Sequence, residues 1–241
     1  MPLTIAIVGC GRLGTALAGA LRETGHRVDG PLGRGADAAG ADVALLCVPD
    51  AAIGAAAAAI APGPLLGHCS GATGLDVLGP RGGFALHPLM TVTPHGARFA
   101  GAGCAVAGST PAALAHARAL AADLRMHPFE VADEHRAVYH AAASVASNFL
   151  VTLEGAAERL ASAAGVPRSA LVPLVHAAVD NWAADGARAA LTGPIARGDE
   201  ATVARQREAV AEHDHDLLPL FDALADATRA LAGRMPVGAP S

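Results

Sequence analysis

Lysine is absent from this 241-residue chain: all 17 basic residues are arginines. That removes Schiff-base chemistry and any lysine general base, and with them a pyridoxal-dependent activity. Charge of either sign is scarce, at 16% of residues, and the net charge is -5 with arginine scattered rather than clustered. No electrostatic footprint for nucleic acid or for an anionic membrane surface results. The four cysteines, Cys10, Cys47, Cys69 and Cys104, form neither a CxxC pair nor a zinc-ligand spacing, which reads as reduced thiols in a cytoplasm. Long apolar runs are missing too: the stretch from Ala51 to Ala61 stops at Pro62, well short of the roughly 20 residues that span a bilayer. Thr4-Ile5-Ala6-Ile7-Val8 follows Met1 without a basic segment or cleavage site, as a first strand and not a signal peptide would. What the chain has is 52% hydrophobic residues, which excludes disorder, a collagen repeat and a coiled-coil rod. A soluble cytoplasmic protein of two modest domains is the expectation.

The first half alternates short apolar runs (residues 5–8, 26–28, 43–48, 65–68, 84–87, 104–107 and 129–131) with helix-forming stretches at 13–24 and 111–124. Such alternation predicts a doubly wound parallel sheet covered on both faces, an α/β Rossmann arrangement over residues 1–132. From Glu134 the character changes to long helical stretches at 137–160, 168–191, 201–213 and 217–231, so residues 133–241 read as an all-helical domain. Gly165-Val166-Pro167 and Gly193-Pro194 supply helix breaks, and the tail Pro236–Ser241 reads as frayed.

Gly9-Cys10-Gly11-Arg12-Leu13-Gly14 is a GxGxxG directly after a strand and opening a helix, the context in which the pattern binds a dinucleotide. The first glycine permits the tight turn, the second lets a pyrophosphate reach the backbone, and the third packs helix on strand. The helix N-terminus stabilises the phosphate charge. If the second strand runs to Leu32, Arg34 stands where a 2′-phosphate would lie and the cofactor is NADP; if it ends early, Asp29 takes the ribose and the cofactor is NAD. NADP is the expectation. Cys47-Val48-Pro49-Asp50 closes a later strand at its carboxyl end, where Val48 and Pro49 would line the cofactor's ribose.

Hydride transfer also needs a proton-handling group and donors that orient the substrate. His68 and Ser70 follow one strand and His87 and Pro88 the next, both beyond carboxyl ends. On the helix after the sheet, Arg136, His140, Ser144, Ser147 and Asn148 share a stripe about 120° wide at 100° per residue. That stripe is either a solvated face or the polar wall of a cleft; Ser, Asn and His favour the cleft. Arg197 offers a substrate carboxylate a partner, or else pairs with Asp199 to cap the following helix. His213 and His215 are two apart at a helix end and do not face each other, so no metal site is expected.

Taken together, Gly9 to Gly14, Val48-Pro49-Asp50, His68-Cys69-Ser70-Gly71, Leu86-His87-Pro88-Leu89, Tyr139-His140-Ala141-Ala142 with Ser147-Asn148, and Leu191 to Asp199 form a distinctive series over nearly the whole chain. The series resembles an uncharacterised bacterial family with a Rossmann-like domain and a helical C-terminal domain of unknown function. That family is similar to pyrroline-5-carboxylate reductases, 6-phosphogluconate dehydrogenases and deazaflavin-dependent NADP reductases. The resemblance implies NADP binding, a helical dimerisation domain and a site in the cleft between domains. It also implies His-Thr-Ser-Gly in relatives where this chain has His68-Cys69-Ser70-Gly71. In 6-phosphogluconate dehydrogenase-like enzymes the corresponding helix bears catalytic polar groups one turn apart, usually including Lys and Asn; here His140, Ser144 and Asn148 match the spacing and the Lys is missing.

The expected protein is an NADP-dependent oxidoreductase, a homodimer acting on a small, anionic carbonyl, imine or hydroxy-acid substrate. His87 or His140 handles the proton with Asn148 among the catalytic groups, and Ser70, Ser144 and Arg197 hold the substrate. The alternative is a non-catalytic NADP(H)-binding sensor or regulatory protein.

Overall fold

The computed structural model describes residues 2–233, and the chain falls into two compact units, Met1–Asn148 and Phe149–Ser241. The expected frayed tail at Pro236–Ser241 lies outside the described residues. Among the described residues no helix is long and apolar enough to cross a membrane.

The first unit is built on seven strands, β1 (Thr4–Val8), β2 (Arg27–Leu32), β3 (Val43–Leu46), β4 (Leu65–His68), β5 (Phe84–Leu89), β6 (Gly103–Gly108) and β7 (His127–Glu130), side by side in the order β2-β1-β3-β4-β5-β6-β7. Alternate residues of each strand point to opposite faces. In β1, Ile5 and Ile7 join Leu17 and Leu21 of α1 (Arg12–Glu23), while Ala6 and Val8 join Ile53 and Ala57 of α2 (Ile53–Ala59). Ala117 and Leu120 of α3 (Pro111–Asp123) complete the α1 side. Because both faces are covered, β1 and β3 read as nearly unbroken apolar runs, and each large side chain removed from water contributes roughly 1.5–3 kcal/mol.

The sheet departs from the expected all-parallel arrangement at one place, since β5 and β6 pair antiparallel. A parallel return needs a crossover, usually a helix. Between Leu89 and Gly103 the chain instead makes a turn in which Thr93 and Gly96 exchange backbone hydrogen bonds of 3.2 and 3.1 Å. Without a helix to carry it over the sheet, the chain folds back; α3 then restores the crossover, and β7 lies parallel to β6.

The polypeptide continues as α4 (Arg136–Ser144), a π turn (Val145–Phe149) and α5 (Leu150–Ala163), so no loop marks the passage between units. The change of character expected at 132/133 marks the end of the sheet, whereas the compact units divide at 148/149. The second unit adds α6 (Arg168–Asp185), α7 (Ala187–Ala190), α8 (Pro194–Arg197), α9 (Glu200–His213) and α10 (Leu218–Leu231). The single helix expected over 168–191 is broken at Gly186, whose φ of 78° lies outside helical space. The buried core here is small, with Ala156, Val210 and Leu217 at its centre. Guanidinium–carboxylate pairs supplement it: buried Arg229 bonds Glu200 at 2.7 Å and Asp226 at 2.9 Å, joining α10 to α9, and Arg159 bonds Asp214 at 2.8 Å.

Thr110 caps α3, its Oγ1 accepting from the Ala113 amide at 3.1 Å with Pro111 in the first turn. Thr110→Ala should lower unfolding free energy by about 1 kcal/mol, read from urea midpoints, with Thr110→Ser restoring most of the loss.

Candidate functional site

β1 has β2 on one side and β3 on the other, so the chain reverses its progress across the sheet there. In open α/β sheets the crevice outside the carboxyl ends at such a switch point is where ligands bind. The glycine loop occupies it, and its three glycines are required for different reasons. A Cβ on Gly9 would stand 2.2 Å from the Cys47 carbonyl oxygen, and one on Gly14 would stand 2.0 Å from the Gly9 carbonyl oxygen. One on Gly11 would meet nothing within 4 Å. The protein's own packing therefore demands Gly9 and Gly14, whereas Gly11 leaves open space on the outer face of the loop. Helix α1 starts immediately after, with no side-chain cap, so its first-turn amides remain available to an anion.

A cavity of about 540 Å³ adjoins this loop, lined by Gly9, Cys10, Leu32, Arg34, Val48 and Pro49 among others. β2 extends to Leu32, which carries Arg34 into the cavity wall. Asp29 lies within β2, paired to Ala6, and is not part of that wall. Arg12 is exposed at the start of α1, and Leu13 packs against the core, so Leu13 could serve a ligand only through its backbone.

Farther along the same edge, the β4 loop closes on itself. Ser70 Oγ donates to Asp50 Oδ2 at 2.8 Å and accepts from the amides of Ala72 and Thr73 at 3.2 and 2.9 Å. Thr73 Oγ1 donates to the same carboxylate oxygen at 3.1 Å. A hydroxyl has one proton and two lone pairs, and all are committed here. Ser70, expected to hold substrate, instead shapes the turn. His68 is fully buried; its Nδ1 accepts from the Ser70 amide at 3.2 Å, and its Nε2 has no hydrogen-bond partner among the described residues. Burial, with the Arg136 charge, pushes the His68 pKa down to about 4, against the opposing pull of Asp50, the Gly74 backbone and Asp133.

β5 delivers His87, whose Nδ1 lies 2.7 Å from the Tyr139 hydroxyl of α4. The imidazole presses on Gly71, where a Cβ would come within 2.7 Å of the ring. Tyr139 is held edge-on between two rings, with centroids 5.6 Å from His87 and 5.9 Å from Phe129. Burial first, then the neighbouring His140 and Arg136, lower the His87 pKa to about 4, while burial raises Tyr139 to about 12. These two residues, with Met90, His140, Ser144 and Asn148, line a second cavity of about 470 Å³. No carboxylate or guanidinium is among its lining residues.

Four members of the expected polar stripe, His140, Ser144, Ser147 and Asn148, do meet at this cavity. The π turn at Val145–Phe149 widens the helix there, a feature frequent at functional sites. Arg136, the fifth, does not line it; it is buried, its Nε donating to Asp133 Oδ1 at 2.6 Å. Arg197 belongs to the second unit, exposed at the end of α8, and lines neither cavity. Asp199 does cap α9, accepting from the Thr202 amide at 3.0 Å, but forms no ion pair with Arg197 within 4.0 Å. Hydrogen bonds from Thr202 hold its carboxyl below the usual range. Tyr139 was not among the expected site residues. Its signal is that it is the chain's single tyrosine, one residue before His140 on the helix that follows the sheet.

His68 and His87 titrate near pH 4 in the folded protein and near 6.5 when unfolded. Below pH 6.5 the unfolded chain therefore binds protons that the folded one does not, and stability falls with pH towards about 4. Urea midpoints from pH 7.5 to 4.5 should show this decline, with a shallower slope in His68→Asn; parallel slopes would contradict it.

No curated protein matches the chain by sequence. Among solved structures, a Bacteroides fragilis protein described as a candidate NADP oxidoreductase superposes with a TM-score of 0.82 at 21% identity, covering 95% of this chain and 98% of its own. Protein TM1727 of Thermotoga maritima gives 0.82 at 22% identity, covering 95% and 99%. The imine reductase of Aspergillus terreus, in complex with NADPH4 and dibenz[c,e]azepine, gives 0.63 at 18% identity, covering 98% and 97%. At these identities the likeness is one of fold. Residues 102–228 match the family described as Domain of unknown function (DUF2520), more than half of the chain, and the protein belongs to that family.

Proposed function

We propose that the protein is an NADP-dependent oxidoreductase that moves a hydride to or from a small carbonyl, imine or hydroxy-acid substrate. The observation that carries this reading is the glycine loop at the switch point. Its outer face is open at Gly11 while Gly9 and Gly14 are packed solid, and Arg34 faces the adjoining cavity. The shared fold with an imine reductase in complex with NADPH4 supports it. The loop amides and the α1 N-terminus would hold the pyrophosphate, Arg34 the 2′-phosphate, and Val48 and Pro49 the ribose. When bound, the nicotinamide supplies a hydride donor or acceptor.

β5 stands three strands from β1 along the sheet, about 14 Å at ordinary strand spacing. That puts His87 at the same carboxyl edge as the cofactor loop, with His140 beside it, ring centroids 6.3 Å apart. In this reading the proton passes through the cluster of groups around His87, and Ser144 and Asn148 orient the substrate. The cysteines are free thiols, which suits a reducing cytoplasm.

We also propose that the protein works as a homodimer. Helix α6 has no buried residue over its 18 positions, yet Leu174 and Trp182 are 68% and 58% exposed on it. A helix apolar on several faces is stable in water only when covered, and the low charge of α6 offers a second copy little repulsion.

Nicotinamide fluorescence titrations should show NADPH bound about 10- to 100-fold more tightly than NADH, as one charge-assisted bond implies. The preference should vanish in Arg34→Ala, and binding of neither cofactor would overturn the oxidoreductase reading. Light scattering should give the mass of a dimer, reduced to a monomer by Leu174→Glu with a red shift in emission from Trp182, the chain's only tryptophan.

A further inference from the structure

We propose that Tyr139 is the catalytic acid–base of the second cavity and that His87 stands behind it as the next member of a two-residue proton relay. The proposal rests on the oxidoreductase reading above and assigns its proton to one atom.

Three observations converge. The Tyr139 hydroxyl lies 2.7 Å from His87 Nδ1, within a strong hydrogen bond, and both residues line the cavity. Phe129 and His87 flank the phenol ring edge-on, and the backbone of Gly71 packs close against the imidazole in turn. Among the described residues that line the cavity there is no carboxylate or guanidinium, so their proton-active groups are this phenol and the histidines.

The protonation states then divide the labour. With its pKa near 4, His87 is neutral at pH 7 and has no imidazolium proton to give; with its pKa near 12, Tyr139 keeps its proton throughout the working range. A neutral phenol donates a hydrogen bond to an uncharged C=O or C=N without first having to be charged. As the substrate carbon gains the hydride, the π bond breaks, its electron pair moves to oxygen or nitrogen, and that atom takes the Tyr139 proton. The phenolate oxygen takes the proton from His87 Nδ1, and the imidazole recovers one at Nε2 from water. The substrate is reduced by one hydride and one proton, the nicotinamide is oxidised, and the ring ends as the other neutral tautomer. The reverse sequence oxidises an alcohol or amine. Leu89, Met90, Ala142 and Ala146 supply an apolar wall, which suits a compact uncharged ketone or cyclic imine.

The test uses the full chain with NADPH and two probes, cyclohexanone and 2-methyl-1-pyrroline. Tyr139→Phe keeps the ring and removes one oxygen, and His87→Gln attacks the relay from the other side. We expect NADPH affinity unchanged in both, kcat lowered about 10²- to 10⁴-fold in Tyr139→Phe and less in His87→Gln. The solvent deuterium isotope effect on kcat should rise in His87→Gln, because reprotonation then limits turnover. A readout independent of turnover comes from nitrogen NMR of isotope-labelled histidine: His87 should carry its proton at Nδ1 in the parent and lose that preference in Tyr139→Phe. Turnover by the parent with kcat retained in Tyr139→Phe would overturn the relay and leave the oxidoreductase standing, as would a His87 protonated at Nε2 in the parent. NADPH bound but not oxidised with either probe would overturn the relay and its substrate class. Failure to bind NADPH would overturn the oxidoreductase reading itself.

Discussion

The close contact of α1 with the ends of β1 and β3 is the constraint on which the first unit turns. Gly9 has no room for a side chain because the Cys47 carbonyl is there, and Gly14 has none because the Gly9 carbonyl is there. Only with both atoms absent can the helix start against the strand ends with its amides facing outward. Cys47 lies in turn beside Cys69, their sulfurs 3.7 Å apart, so the packing continues from the cofactor loop into the next strand end. The order of strands then sets the rest: β4 and β5 follow in sequence across the sheet, and the loop after β4 brings Ser70 and Gly71 beside His87 of β5.

The histidine and tyrosine rings at that edge are held neutral largely by burial. His68 and His87 are kept from protonation and Tyr139 from ionisation largely by removal from water, with Arg136 opposing positive charge on both imidazoles. Arg136 itself is affordable in the interior because Asp133 accepts from it at 2.6 Å. The fully buried His68 and the partly buried His87 differ in their bonds. His87 is matched to a phenol across the helix, whereas His68 accepts one bond from its own loop and keeps an unpartnered Nε2.

The second unit is organised differently. Its core is a few small and medium side chains, and arginine–carboxylate pairs tie α5, α9 and α10 together. Leucine, valine and tryptophan on α6 remain in water in the single chain.

The α/β character, the seven strands and the start of the helical region were legible in the sequence, because buried parallel strands and amphipathic helices impose their periods on neighbouring residues. So was the glycine loop, whose three positions answer to local backbone geometry, and so were four of the polar residues on one helix face. Missed were the antiparallel turn into β6, decided by the lack of a crossover helix, and the break at Gly186. The internal commitment of Ser70 was missed as well, since it depends on Asp50, 20 positions away in sequence. The pairing of His87 with Tyr139 joins residues 52 apart, and no local pattern records it. Periodicity and turn chemistry are properties of neighbours along the chain, so the sequence determined the elements and the cofactor loop. Which hydroxyl is spent, which histidine stays neutral and which side chain meets the phenol are properties of neighbours in space, and the tertiary structure alone decided them.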